Sequence, residues 1–306
     1  MIDKLADRIM ELEAPIVVGL DPTLEMIPDR IKKEAVDRCG ANLKAAASML
    51  FDFNKEVIDG ICEIVPAVKP QIAMYERFGA DGVTAYLKTT EYAKSKGLFV
   101  IGDVKRGDIS STAEAYAAHI GGVEFEGLRF DPWHEDAVTI NPYLGIDGVK
   151  PFLKVCEKND KAIFVLVKTS NPSSAELQDL ILESGGAVYE HAADLVSSWG
   201  EATVGASGYS KVGAVVGATH PAQGAALRKR MARTFFLVPG YGAQGASGKD
   251  LKGFFDADGG GCIVNSSRGI IAAWKSDDRY GENDVAEAAA FAALAMKADL
   301  REAFTR

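Results

Sequence analysis

Eight short apolar segments recur along the chain, most of them ending in polar residues or glycine, with stretches of helical spacing between them. The strand-like segments cover residues 15–21, 67–75, 98–106, 137–143, 162–170, 212–220, 234–240 and 261–267. Several are continuous apolar runs rather than alternating ones, the pattern of a strand covered on both faces. Helical patterns occupy 42–64, 82–96, 111–120, 148–157, 187–199, 221–231 and 248–255, and an Ala-rich stretch over 284–304 closes the chain.

Strands alternating with helices predict a parallel sheet. Eight is the number that closes a (β/α)8 TIM barrel, an α/β fold typically about 250 residues long. The surplus in this 306-residue chain is assigned to an extra N-terminal helix, a long first connection and a loop insertion at 121–135. An open doubly wound sheet gives the same alternation, and pattern alone leaves it open. No linker, fixed-period repeat or low-complexity tract divides the sequence, so 1–306 reads as a single domain.

Composition narrows the function. The net charge of −9 argues against a nucleic-acid or anionic-membrane surface, though a pocket for a small anion needs only local positive charge. The longest apolar run near the C-terminus, 288–296, is too short to span a bilayer. Met1-Ile2-Asp3-Lys4 opens an acidic amphipathic stretch, not a secretory leader. Cys39, Cys62, Cys156 and Cys262 are scattered, which suits a reducing, cytoplasmic compartment.

A barrel carries its active site at the C-terminal strand ends, and the unusual polar residues fall there. Asp21 ends the first segment and Lys69 lies inside the second, between Val68 and Pro70. Asp103 and Lys105 occupy the third and Asp108 follows it; Asn141, Ser170 and His220 lie near the ends of the next three. In a strand, Asp103 and Lys105 share a face. If the second and third strands are neighbours, Lys69 joins them across about 4.8 Å. Buried charges persist only when paired, so this set is either a salt-bridge network that holds the barrel together or a reactive site.

A second group suits an anion. Pro239-Gly240-Tyr241-Gly242-Ala243-Gln244-Gly245 follows the seventh segment, and Asn265-Ser266-Ser267-Arg268-Gly269-Ile270 runs on from the eighth. Loops after strands seven and eight commonly hold phosphate, and arginine adds a bidentate fork. Gly240, Gly242 and Gly245 also match the dinucleotide fingerprint, but the eighth strand begins too soon for the usual helix, which favours a phosphate loop. His119, His134, His191 and His220 are dispersed and no Cys pair has ligand spacing, so no metal site is expected. His119, His134 and His191 read as surface or helix residues, and His220 as a residue of the site mouth.

The set Asp103, Lys105, Asp108, Ile109 and Thr112 resembles the Asp-x-Lys-x-x-Asp-Ile-x-x-Thr signature of the orotidine 5′-monophosphate decarboxylase family. Gly19-Leu20-Asp21-Pro22, Val68-Lys69-Pro70, Thr169-Ser170-Asn171-Pro172 and Pro239 to Gln244 match further family segments in order, and the chain is similar to the longer bacterial subgroup. It departs from the compact form at 121–135 and at Asn265-Ser266-Ser267-Arg268-Gly269. The resemblance implies cofactor-independent loss of CO2 from orotidine 5′-phosphate (OMP) to give UMP, a step of pyrimidine biosynthesis. Lys105 would be the proton donor in a Lys69-Asp103-Lys105-Asp108 network. Asp21 and Lys69 would bind ribose, Ser170 the pyrimidine edge, and Pro239, Gln244, Ser267 and Arg268 would surround the phosphate. Asp108, Ile109 and Thr112 would enter the site of a second subunit, which implies a homodimer with shared sites. The competing readings are a metal-dependent sugar-phosphate lyase on the same barrel and a non-catalytic nucleotide-binding homologue.

Overall fold

The computed structural model describes residues 1–242 and 245–305. Its strands are β1 (Ile16–Leu20), β2 (Ala67–Pro70), β3 (Phe99–Arg106), β4 (Val123–Phe125), β5 (Leu128–Phe130), β6 (Ala137–Ile140), β7 (Ala162–Lys168), β8 (Val212–Val216), β9 (Phe236–Pro239) and β10 (Cys262–Ser266). All but β4 and β5 form a closed barrel in the order β1-β10-β9-β8-β7-β6-β3-β2, with every pairing parallel. The (β/α)8 expectation therefore holds and the open sheet is excluded.

Strand alternation sorts the apolar residues into two layers. Val17, Ala67, Phe99, Ile101, Ala137, Phe164, Val215, Leu237 and Ile263 fill the barrel interior. Their strand neighbours, such as Val18, Val68, Val100, Val138 and Val165, pack outward against the helices. The extra N-terminal helix, Ile2–Leu12, sends Ile2 and Leu5 into the interior cluster and so stoppers one end of the barrel. Its terminal ammonium is tied to Asp160 at 2.5 Å. On the outside, the helix Leu43–Ile61 is capped by Asn42, whose side chain accepts from the Ala45 N–H at 3.0 Å. It packs against the closing helix Val285–Thr305.

The strands are shorter than the sequence pattern predicts, chiefly at their C-terminal ends. β2 ends at Pro70, Gln71 still bridges Asp103 in parallel, and the chain then turns into a short helix, Ala73–Glu76. The polar strand ends belong to loops on the face that carries the site. The first connection holds a helix, Asp29–Cys39, that the pattern left unassigned. The insertion at 121–135 is not a plain loop: β4 and β5 pair antiparallel within it as a hairpin. Its central residues, Glu126 and Gly127, both have positive φ (51° and 74°), as the favoured two-residue turn requires.

Candidate active site

A cavity of about 370 Å³ opens at the C-terminal ends of the barrel strands. Lys69 from β2, Asp103 and Lys105 from β3, Thr139 from β6, Leu166 from β7, Val215 from β8, and Leu237 and Pro239 from β9 line it, together with Thr169, Ser170 and Asn171 from the loop after β7. Charged residues occupy one wall and aliphatic residues the other, a polarity suited to a small ligand with an anionic and an apolar face.

Asp103 organises the charged wall. Its Oδ2 accepts from Lys69 Nζ at 2.7 Å and Gln71 Nε2 at 2.9 Å. Its Oδ1 accepts from Lys105 Nζ at 2.6 Å and the Thr139 hydroxyl at 2.9 Å. These four donors fill the lone-pair positions a carboxylate offers, so the group cannot rotate without losing bonds. Burial opposes its ionisation, but Lys69 and Lys105 outweigh burial and hold Asp103 well below the usual carboxylate range. Lys69 is buried too. Burial alone would lower its pKa, but Asp103 and Asp21 reverse this and raise it. The side chain of Lys69 is 6% exposed and that of Lys105 is 46% exposed, so Lys105 is the ammonium that faces open space.

The pairing of Asp103 with Lys105 does not come from a regular strand. Gly102 pairs with Val138 and Arg106 with Ile140, so Asp103, Val104 and Lys105 oppose Thr139 alone. The strand bulges, and Lys105 sits at φ +46°, a left-handed conformation uncommon for a residue with a Cβ.

Other expected site residues are placed as follows. Asp21 is half-buried at the end of β1, near enough to Lys69 to raise its pKa, with its Oδ1 unpaired among the described residues. Ser170 and Pro239 line the cavity. Ser267 and Arg268 follow β10, with Arg268 exposed at the start of the short helix Arg268–Ile271. Gln244 lies outside the described residues. Asp108 is half-buried and accepts from the Ile109 N–H at 2.8 Å, while Ile109 and Thr112 are exposed. None of these three lines the cavity of its own chain. Asn141 caps a turn instead, accepting from the Tyr143 N–H at 2.9 Å. His220 precedes the helix Pro221–Arg230 and, contrary to expectation, does not line the described cavity. His119 is on a helix, as expected, but buried: it stacks on Trp133 and bonds Glu135 at 2.9 Å.

Sequence reasoning missed Gln71, Thr139 and Lys168. Lys168 is a fully buried lysine at the end of β7 that pairs with Asp179 at 2.7 Å and reaches Ser174 at 3.3 Å. Beside it, the Thr169 N–H donates to Gln178 Oε1 at 3.0 Å. Together these contacts brace the loop that carries Ser170. A lysine in an apolar strand was the available signal, as it was for Lys69.

Chemically, the cavity offers a fixed ammonium backed by a carboxylate that stays ionised. Among the described residues, no three His, Cys, Asp or Glu side chains gather to hold a metal ion.

Comparison with known proteins agrees with this arrangement. The model of the orotidine 5′-phosphate decarboxylase / HUMPS family matches residues 14–279. The chain is 41% identical over 304 residues to an orotidine 5′-phosphate decarboxylase of Caldicellulosiruptor saccharolyticus, covering 99% of this chain and 98% of the relative. It is 38% identical over 303 residues to that of Clostridium acetobutylicum, covering 99% of each. The structure of Leishmania donovani OMP decarboxylase superposes with a TM-score of 0.75 at 31% identity, covering all of this chain and 99% of that one. With the full-length match, the shared barrel and the charged wall at the strand ends in agreement, the chain belongs to the orotidine 5′-phosphate decarboxylase / HUMPS family.

Proposed function

We propose that this chain, working as one barrel domain over 1–306, converts OMP to UMP and CO2 without a cofactor. The observation that carries the reading is the Lys105 ammonium, held at 2.6 Å by an ionised Asp103 and facing an open cavity. When the C6–carboxylate bond of OMP breaks, CO2 leaves and the electron pair stays on C6. That orbital lies in the ring plane, so the π system does not absorb the charge. A preorganised cation beside C6 stabilises it, and the field is stronger in a site that excludes water. A proton then passes from Lys105 Nζ to C6, giving UMP, and solvent reprotonates the amine. Asp103 and Lys69 keep the network charged throughout.

The remaining assignments extend this reading. Asp21 and Lys69 take the ribose hydroxyls and Ser170 the pyrimidine edge. Pro239, Gln244, Ser267 and Arg268 form the phosphate end, where binding energy remote from C6 orders the site. Asp108, Ile109 and Thr112 reach the cavity of a second copy in a homodimer, which fits their position away from the cavity of their own chain. The unpaired cysteines fit a reducing, cytoplasmic setting.

The test is turnover of OMP by the purified protein and by Lys105→Ala. The parent should release CO2 and form UMP. The variant should lose at least about a hundredfold in kcat, as expected for removal of a proton donor. UMP should still bind the variant within about threefold of the parent, because the contacts assigned to ribose and phosphate remain. Normal turnover by Lys105→Ala would remove Lys105 from the chemistry.

A further inference from the structure

We infer that Thr139 is a positioning residue for this reaction: its hydroxyl locks the strained backbone of Lys105 and the carboxylate of Asp103 into one geometry. Thr139 is the β6 residue opposite the three-residue bulge of β3, and it is 1% exposed. A regular ladder would supply backbone partners along that stretch. Here the Lys105 N–H donates to Thr139 Oγ1 at 3.0 Å, and the Thr139 O–H donates to Asp103 Oδ1 at 2.9 Å. A hydroxyl has a single proton, so donating to the carboxylate leaves a lone pair for the amide. One side chain thereby fixes the main chain of the ammonium-bearing residue and the orientation of its counterion.

A left-handed conformation at a lysine persists only where its surroundings over-determine it. At Lys105 the hydroxyl of Thr139 supplies that restraint. Valine has nearly the same shape but leaves the Lys105 N–H and Asp103 Oδ1 each one partner short. The backbone is then free to relax, and Lys105 Nζ shifts relative to C6. A displacement on the order of 1 Å at a reacting group can cost about a hundredfold in rate. The substrate contacts assigned to Ser170, Asp21 and Arg268 do not pass through Thr139. The loss should therefore fall on kcat and spare binding.

The inference rests on the decarboxylase reading, and the experiment separates the two. Kinetics with OMP and titrations with UMP are compared for the parent, Thr139→Val and Thr139→Ser, with thermal melts to establish folding. Thr139→Val should lose about 10- to 100-fold in kcat, the effect of one hydrogen bond to a charged group. KM for OMP and Kd for UMP should stay within about twofold, and Thr139→Ser should regain most of the rate because it restores the hydroxyl. Thr139→Ala replaces the valine variant if that one does not fold. A kcat within about twofold of the parent, or a folded serine variant that recovers nothing, overturns the proposal. If the parent itself does not turn over OMP, the decarboxylase reading fails. Crystal structures of parent and valine variant then decide the positioning claim. An unchanged left-handed Lys105 and an unmoved Asp103 carboxylate in the variant would refute it.

Discussion

Burial and charge pull the Asp103 carboxylate in opposite directions, and charge wins because two ammoniums meet it at 2.6 and 2.7 Å. Its folded pKa therefore lies below the unfolded one. The stabilisation is fully present above the unfolded value, near 4, and is lost as pH falls from there toward the folded value. Asp103→Asn should be less stable than the parent at neutral pH, by about 3–5 kcal/mol, because the buried Lys69 loses the carboxylate bonded to it. Melts between pH 7 and pH 3.5 should show the gap between the two proteins narrowing below about pH 4. A gap that stays constant with pH would mean that Asp103 is not held ionised by its lysines. Lys69, Asp103 and Lys105 were legible in the sequence because charge inside an apolar strand is costly. Thr139 was not. Threonine is an ordinary strand former, and its hydroxyl acquires a role only where β3 bulges. Gln71 reads as an ordinary polar position in the expected strand; only the register, which bridges it to Asp103, shows that its amide meets the carboxylate.

Behind β3, an element-scale constraint supports the same wall. Gly102 faces outward, and a Cβ there would sit 2.2 Å from Glu135 Oε1. Glu135 is fully buried between His119 and Tyr86, both of which bond it, and burial pushes its carboxyl pKa up despite those bonds. A side chain at 102 would therefore have to push the Glu135 carboxylate away from Tyr86 and His119. Gly102→Ala should destabilise the protein by roughly 1–3 kcal/mol in denaturant unfolding, the usual cost of overpacking. A change within the error of the method would show that Glu135 has room to swing aside. The elements themselves were largely legible, since apolar runs and helical periodicity mark them. Their C-terminal bounds were not, because the polar residues that end each run belong to the loops of the site. The hairpin at 121–135 did leave a trace: Val123 and Phe125 alternate with polar neighbours, as do Leu128 and Phe130, around Glu126-Gly127. With only three residues in each strand, the alternation is too brief to mark a strand by itself.

Across the whole molecule, closure of the ring turns residues far apart in sequence into one site, and the proposed dimer would complete it. If Asp108 serves the partner's cavity, Lys105→Ala and Asp108→Ala proteins refolded together should regain about one quarter of parental activity, since half the dimers are mixed and each carries one intact site. No recovery, with mixed dimers shown to form, would place each site within a single chain. The sequence by itself determined the alternation of strand and helix, the eight strands of the barrel and the charged residues at strand ends. Local periodicity and the cost of burying charge act over a few residues and leave their mark in residue order. Only the tertiary structure decided that β6 faces the bulge of β3, that one carboxylate collects four donors, and that the helix Ile2–Leu12 stoppers the barrel. Those features depend on register and closure between distant segments, which no local pattern encodes.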